Sequence, residues 1–150
     1  MHVSHIDHLV LTVADIPNTV DWYRRVLGMR HVTFAGERHA LTFGRQKLNL
    51  HQAGREVEPK AGRPVPGSVD LCLITATPLT EVRAHLRACG VRIEQGPIAR
   101  TGAVGPITSI YVRDPDDNLI EIATYKPVPS DDAQPCPPGS GSHTEEEEPR

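Results

Sequence analysis

The chain has 150 residues and a formal net charge of −3, with 38% hydrophobic and 23% charged residues. Residues 1–125 carry 14 Lys and Arg against 13 Asp and Glu, so no basic surface indicates nucleic acid or an anionic membrane as a partner. No apolar run approaches the length of a membrane span, and three cysteines without metal or redox spacing are typical of reduced thiols. We therefore expect a cytoplasmic protein that binds neither nucleic acid nor membrane.

Two stretches of the chain are versions of one another. Residues 8–11 align with residues 70–73, and the match continues without a gap through the helix that follows each of them. After an insertion in the second copy, residues 48–50 align with residues 120–122. The sequence therefore predicts one duplicated unit, with equivalent positions brought to a shared surface.

The duplication sets the domain organisation. We expect a single domain over 4–125, built from a first module at 4–53 and a second module at 68–125, with a linker at 54–67. Residues 126–150 are rich in Pro, Gly and Ser and contain four consecutive glutamates, a composition that favours a disordered acidic tail.

The first module predicts a strand, a helix and three further strands. An apolar, β-branched run at 7–13 favours a strand. Asp15 and Pro17 are helix start signals, and Gly28 marks the end of that helix. Three short strands then follow, at 30–34, 39–43 and 47–52.

The second module repeats this order. A strand is predicted at 69–75, Thr77 and Pro78 would cap and open the helix, and Gly90 would end it. Three strands are then expected, at 92–94, 108–113 and 118–125. The sequence thus predicts an α+β fold, in which two tandem β-α-β-β-β modules form a curved, mainly antiparallel sheet around a cavity.

Strand alternation places several polar side chains on one face of the sheet. If the leucines and isoleucines of each strand pack on the helices, the intervening polar residues face the cavity. An apolar setting makes a carboxylate costly unless it is paired or bound to metal, which applies to Asp70 and Glu121. Five polar residues fall on this face: His8, Asn49, His51, Asp70 and Glu121. The four at duplicated positions, His8, Asn49, Asp70 and Glu121, look like a set of metal ligands.

The strings DHLVLTVADIPNTVDWYRRVLGM and VRDPDDNLIEIATY resemble the opening and closing signatures of the vicinal oxygen chelate superfamily. This superfamily includes glyoxalase I, bleomycin-sequestering proteins and extradiol dioxygenases. The middle of the chain is similar to the branch of this superfamily known as glyoxalase-domain-containing protein 5. The resemblance implies one divalent metal between the modules, with His8, Asp70 and Glu121 as ligands.

The resemblance also implies an activity. A metal-dependent lyase or isomerase of the lactoylglutathione lyase type would stabilise an enediolate formed from a small oxygen-bearing substrate. Glu121 would be ligand and base, while His51 could be an alternative base, a fourth ligand or part of the pocket wall. Substrate would contact Asn49, and also Arg100 and Thr101 in a predicted loop. The metal would be Mn, Ni, Fe, Co, Mg or Zn.

Other members of the superfamily define the competing interpretations. A protein of the bleomycin-resistance type would sequester a small molecule without metal, and a thiol-adding transferase of the fosfomycin-resistance type would share the metal. Ring cleavage is less favoured because a second clear histidine is missing. Members of this size commonly form homodimers, and an exchange of strands would place His8 and Asp70 in different chains.

Overall fold

The computed structural model describes residues 1–125, and the predicted disordered tail lies outside the described residues. The described part contains eight strands and two helices in two β-α-β-β-β modules. In chain order they are β1 (His8–Val13), α1 (Ile16–Leu27), β2 (Arg30–Phe34), β3 (Arg38–Phe43), β4 (Gln46–Gln52), β5 (Asp70–Ile74), α2 (Leu79–Ala88), β6 (Ile93–Gly102), β7 (Gly105–Arg113) and β8 (Leu119–Tyr125). The predicted fold class is confirmed.

Each module forms its own four-stranded sheet. The strand orders are β1-β4-β3-β2 and β5-β8-β7-β6, and each sheet has one parallel and two antiparallel pairs. Within the described residues, β1 pairs only with β4 and β5 pairs only with β8. The first strand of each module is therefore an edge strand with unpaired backbone groups on its outer side.

Both helices cover one face of their sheets and share a single core. Tyr23 and Val26 of α1 pack in the same buried cluster as Leu86 of α2 and Ile120 of β8. Asp15 caps α1 by accepting a hydrogen bond from the Asn18 backbone N–H at 2.7 Å, as predicted. None of the helices in the part of the chain that is described is long and apolar enough to cross a membrane.

The β7–β8 turn joins the second module to the first through a buried polar network. The Tyr23 hydroxyl donates to Asp114 at 2.9 Å, and Asp114 also accepts from the backbone and the side-chain amide of Asn118. Burial and the nearby Asp114 carboxylate raise the pKa of Tyr23 far above its ordinary value. The backbone N–H of Ala14 donates to Asp116 at 3.1 Å, which adds a second contact between the modules.

Several local predictions were wrong. Helix α2 begins at Leu79 with Pro78 at its N-cap and no side-chain cap, so Thr77 does not cap it. Strand β6 is a long strand that includes Arg100 and Thr101, which were predicted to lie in a loop, because it pairs with β7 along most of its length. Asp70 was expected in a buried setting, but it is exposed at the start of an edge strand.

Candidate functional site

The side of each sheet that faces away from the helices is the open face, and most of the candidate site residues lie on it. Leu48 and Leu50 of β4 belong to the core, so the alternating Asn49 and His51 project from the opposite side. The same alternation in β8 places Glu121 between two core isoleucines. Polar groups therefore collect on the open face of both modules.

His8 lies on the edge strand β1 with one ring nitrogen already engaged. Its Nδ1 lies 2.6 Å from the Asp7 carboxylate, and the His8 side chain remains 43% exposed. The hydrogen bond to His8 lowers the pKa of Asp7. Metal-binding histidines usually donate one ring N–H to a carboxylate, which orients the other nitrogen toward the metal. Asp7 and His8 have this arrangement, with Nε2 left for a ligand.

Asn49 and His51 are buried without hydrogen-bond partners. They are 4% and 5% exposed, and within the described residues the Asn49 Oδ1 and both ring nitrogens of His51 accept or donate no hydrogen bond. Burial lowers the pKa of His51; the nearby Arg38 and Lys60 lower it further, and Glu56 opposes them. Buried polar atoms of this kind normally have a hydrogen-bond partner, so these three atoms are free to bond to water or to a ligand.

On the second module, Glu121 is held by a buried hydroxyl. Ser109 is fully buried on β7 and donates a short hydrogen bond to the Glu121 Oε1. Cys72 lies directly across from Glu121 on β5. Burial, Glu121 and Asp70 together raise the pKa of Cys72 to about 11. Glu121 and Asp70 thus form a negative region with Cys72 between them.

Arg100 lies on the same open face and has two side-chain partners. Its Nε donates to the Tyr111 hydroxyl at 3.0 Å and its Nη2 donates to Gln95 at 3.4 Å. Tyr111 is paired in register with Glu121, so Arg100 reaches the neighbourhood of the carboxylate through one side chain. Thr101 is exposed and lies opposite Pro106 at the far end of β6.

The predicted ligands form two half-sites in the chain. Asp70 and Glu121 lie together on the second module, whereas His8, Asn49 and His51 lie on the first. Among residues 1–125, no group of three or more His, Cys, Asp or Glu is close enough to hold one metal ion. A complete site formed by these residues therefore needs the open face of one module to meet that of the other.

Sequence reasoning missed four residues that support these half-sites. Ser109 and Tyr111 share the open face with Glu121, and their alternation on β7 could have indicated this. Asp7 adjoins His8 in the sequence, but its contact depends on a side-chain rotamer. Arg38 approaches His51 through the pairing of β3 and β4, which the sequence alone does not reveal.

The fold defines a duplicated α+β protein of the glyoxalase type. The family model of the Glyoxalase/Bleomycin resistance protein/Dioxygenase superfamily matches residues 5–122. The chain belongs to this superfamily, which confirms the resemblance seen in its sequence.

Two curated relatives and one solved structure are similar over most of their length. Virulence protein STM3117 of Salmonella typhimurium is 57% identical over 125 residues, which is 83% of this chain and 87% of that protein. Its crystal structure has a TM-score of 0.83 and 56% identity, over 84% of this chain and all of that one. Glyoxalase domain-containing protein RDO1 of Mycosarcoma maydis is 52% identical over 84% of this chain and 71% of that protein.

Two more distant structures share the fold alone. A lactoylglutathione lyase from Agrobacterium tumefaciens has 22% identity and a TM-score of 0.64, over 82% of this chain and 95% of that one. TnmS3, an antibiotic-binding protein from a Streptomyces species, has the same identity and TM-score, over 84% of this chain and 99% of that one. The fold therefore occurs with both a lyase and a binding protein.

Proposed function

We propose that this protein is a metal-dependent lyase or isomerase of the glyoxalase type, with an active site formed between two copies of the chain. The observation that carries the proposal is the position of the candidate ligands. His8 lies on edge strand β1 and Asp70 on edge strand β5, while Glu121 lies on β8 beside β5. Ligands on unpaired edges are available to complete a site across an interface.

The geometry of the edges favours a symmetric homodimer. Leu9 of β1 and Ile74 of β5 border one cavity of about 470 Å³, so both edges open on the same side of the chain. Leu9, Val10 and Ile74 are 39%, 47% and 54% exposed. In a two-fold dimer the β1 of each copy would meet the β5 of the other, which would cover these apolar side chains and both edges.

The donor set of such an interface fits a divalent metal. One imidazole and two carboxylates suit Mn, Fe, Co, Ni or Zn, and Asn49 is available as a further oxygen donor. A bound ion would polarise the oxygens of a small substrate, such as the hemithioacetal of an α-oxoaldehyde, and stabilise the enediolate formed from it. Ser109 would hold Glu121 so that one carboxylate oxygen keeps a fixed direction.

The residues of the open face then divide the remaining work. Glu121 would take a proton from the substrate carbon and return it to the neighbouring carbon, and His51 is the alternative base. Arg100, held by Tyr111, would bind a substrate oxygen beside Glu121. Asn49 would contact another polar group of the substrate, whereas Thr101 alternates with Arg100 on β6 and therefore faces away from this site. The apolar walls near β5 would exclude water from the proton transfer.

Elemental analysis of the chain purified without a metal-binding tag tests this proposal. We expect about one equivalent of a divalent transition metal per chain. The metal content should fall to a small fraction in Glu121→Ala and in Asp70→Ala, because each substitution removes a proposed ligand. Asp21→Ala removes an exposed carboxylate on α1 and should keep the metal. Glu121→Gln should lower turnover of an α-oxoaldehyde with a thiol by about a hundredfold or more.

Two results would contradict the proposal. One is an absence of metal both after purification and after addition of Mn, Co, Ni or Zn. The other is a chain that remains monomeric in analytical ultracentrifugation at every concentration, because one copy carries only half-sites.

A sequestering protein is the second candidate function. It is favoured by the separation of the acidic and histidine residues within one chain, where no three of them among residues 1–125 form a metal cluster. Such a protein would bind a small drug-like molecule equally well with and without a chelator. Binding of the bleomycin type that survives chelation and Glu121→Ala would support this candidate over the lyase.

A further inference from the structure

A cavity of about 690 Å³ lies on the first module, beside the β2–β3 turn and the end of β4. It is separate from the position of His8. In the parallel pair of β1 and β4, His8 is in register with Lys47 and Thr12 with His51. The two histidines are thus four residues apart along the strands, or about 13 Å at the usual rise per residue.

His51 forms part of the cavity wall and lacks hydrogen-bond partners. It is 5% exposed, and neither ring nitrogen has a partner in the described residues. An imidazole always carries at least one N–H, so one donor here is buried and unsatisfied. Leaving such a group unpaired is unfavourable. A ligand with an acceptor atom in the cavity would remove this cost.

The charges around the cavity favour an anion. Arg38, Arg55 and His39 line it together with a single acidic residue, Glu37. Neither arginine forms an ion pair with a carboxylate of residues 1–125. The Cζ atom of Arg38 lies over the Phe34 ring, 4.9 Å from its centroid, a contact that does not engage the N–H groups in hydrogen bonds.

The acidic residues of the linker, Glu56 and Glu58, do not pair with these arginines within the described residues. Glu56 lies near His51, but it accepts hydrogen bonds from Lys60 at 3.1 Å and from the Gly54 backbone at 2.8 Å. Lys60 also approaches Glu58 at 3.6 Å. Lys60 thus lies close to both linker carboxylates, and within the described residues neither carboxylate forms an ion pair with Arg38 or Arg55.

We propose that this cavity binds a small molecule through an oxyanion, a carboxylate or a phosphate, held by His51, Arg38 and Arg55. A planar guanidinium donates two parallel hydrogen bonds to either group, and the His51 N–H supplies a further one. The site is complete in one chain and requires no metal. It therefore does not depend on the lyase proposal, in which His51 is only the alternative base.

Calorimetric titration of the full chain with inorganic phosphate and with succinate, each in the presence of a chelator, tests the proposal. We expect saturable binding of at least one probe, and the preferred probe identifies the class of anion. Arg38→Ala and His51→Ala should weaken binding at least tenfold. Arg45→Ala removes the same charge from the exposed β3–β4 turn and should change the affinity less than twofold.

The conservative variants separate a contact from a folding defect. Arg38→Lys keeps the charge and should recover part of the affinity, and His8→Ala should bind as the natural chain does. Binding that is unsaturable for both probes would overturn the proposal. So would an equal loss in Arg45→Ala and Arg38→Ala, because general electrostatic attraction would then explain the binding.

Discussion

The two open faces come from one duplicated unit, but their polar residues are satisfied in different ways. Glu121 on the second module accepts a hydrogen bond from Ser109, and Arg100 is held by Tyr111. The equivalent of Glu121 on the first module is Asn49, which is 4% exposed and whose side-chain oxygen has no partner in the described chain. Glu121 and Arg100 of the second module are thus paired within the module, whereas the Asn49 oxygen of the first module has no partner in the described residues.

The same contrast holds for the turns. The β7–β8 turn is anchored against α1 through Asp114, while the equivalent β3–β4 turn around Arg45 is exposed. Duplication therefore preserved the module and lost its symmetry at the contact between modules. One turn became structural, and the other remained a simple connection.

The largest expected effect comes from breaking this structural turn. Asp114→Ala would leave the Tyr23 hydroxyl and the donors of Asn118 buried without an acceptor, so we expect a loss of about 3 kcal/mol or more in the free energy of unfolding. Chemical denaturation measures it. Arg45→Ala in the equivalent turn should change stability by less than about 0.5 kcal/mol. Similar losses of stability in both variants would mean that the two turns contribute equally to stability, which would contradict the contrast between them.

A smaller effect of opposite sign is expected at Asn49. Asn49→Leu removes a buried oxygen without a partner and adds apolar contacts, so the ligand-free chain should be stabilised by about 1 kcal/mol. Thermal unfolding without added ligand measures it. Ser109→Ala on the second module removes the hydrogen bond from Ser109 to Glu121 and should lower the free energy of unfolding. If Asn49→Leu destabilises as well, the first module is satisfied by groups such as bound water.

Much of this arrangement follows from the sequence, and the exceptions have physical causes. Alternation in β4 and β8 predicted which side chains leave the core, because one-sided burial fixes the face of each residue. Asp15 and Gly28 predicted both ends of α1 because caps are local. The exposure of Asp70 was missed because it depends on which strand lies at an edge. The order of strands in a sheet is not a local property of any one of them.

Strand β6 was missed for a related reason. The segment around Gly96 reads as a loop because Gly and Pro are disfavoured in strands. A Cβ at Gly96 would lie 2.4 Å from the Ser109 carbonyl oxygen, so the backbones of β6 and β7 approach closely at this point. Glycine here permits the strand pairing that places Arg100 beside Tyr111. Tertiary contact thus reversed the local preference.

The pH dependence of stability should also differ between the modules. Burial lowers the pKa of His51, and that of His31 is lowered by burial and by His39. Both histidines belong to the first module. A depressed pKa means that the unfolded chain binds more protons, so stability falls as the pH drops below about 6.5 toward the folded pKa.

Denaturant titrations between about pH 7.5 and 5, the range that spans the ordinary histidine pKa of about 6.5, test this expectation. His51→Gln should reduce the loss of stability on acidification, and His31→Gln should reduce it further. A slope that is the same in His51→Gln and in the natural chain would show that His51 is paired in solution.

The smallest expected effect concerns Cys72, which reports on the negative charge of the second open face. Its pKa of about 11 keeps the thiol protonated at pH 8, although the residue is exposed, so alkylation should be slow. Glu121→Gln removes one of the charges that raise this pKa and should accelerate alkylation several-fold, as followed by mass spectrometry of the Cys72 peptide. Cys89 lies on the far side of the core from Glu121 and provides an internal control, with a rate that should not change.

Because a metal ion would also neutralise Glu121 and Asp70, added Mn or Ni should change the alkylation rate of Cys72 only in the dimer. An equal effect of the metal on the alkylation rates of Cys72 and Cys89 would mean that the metal binds elsewhere.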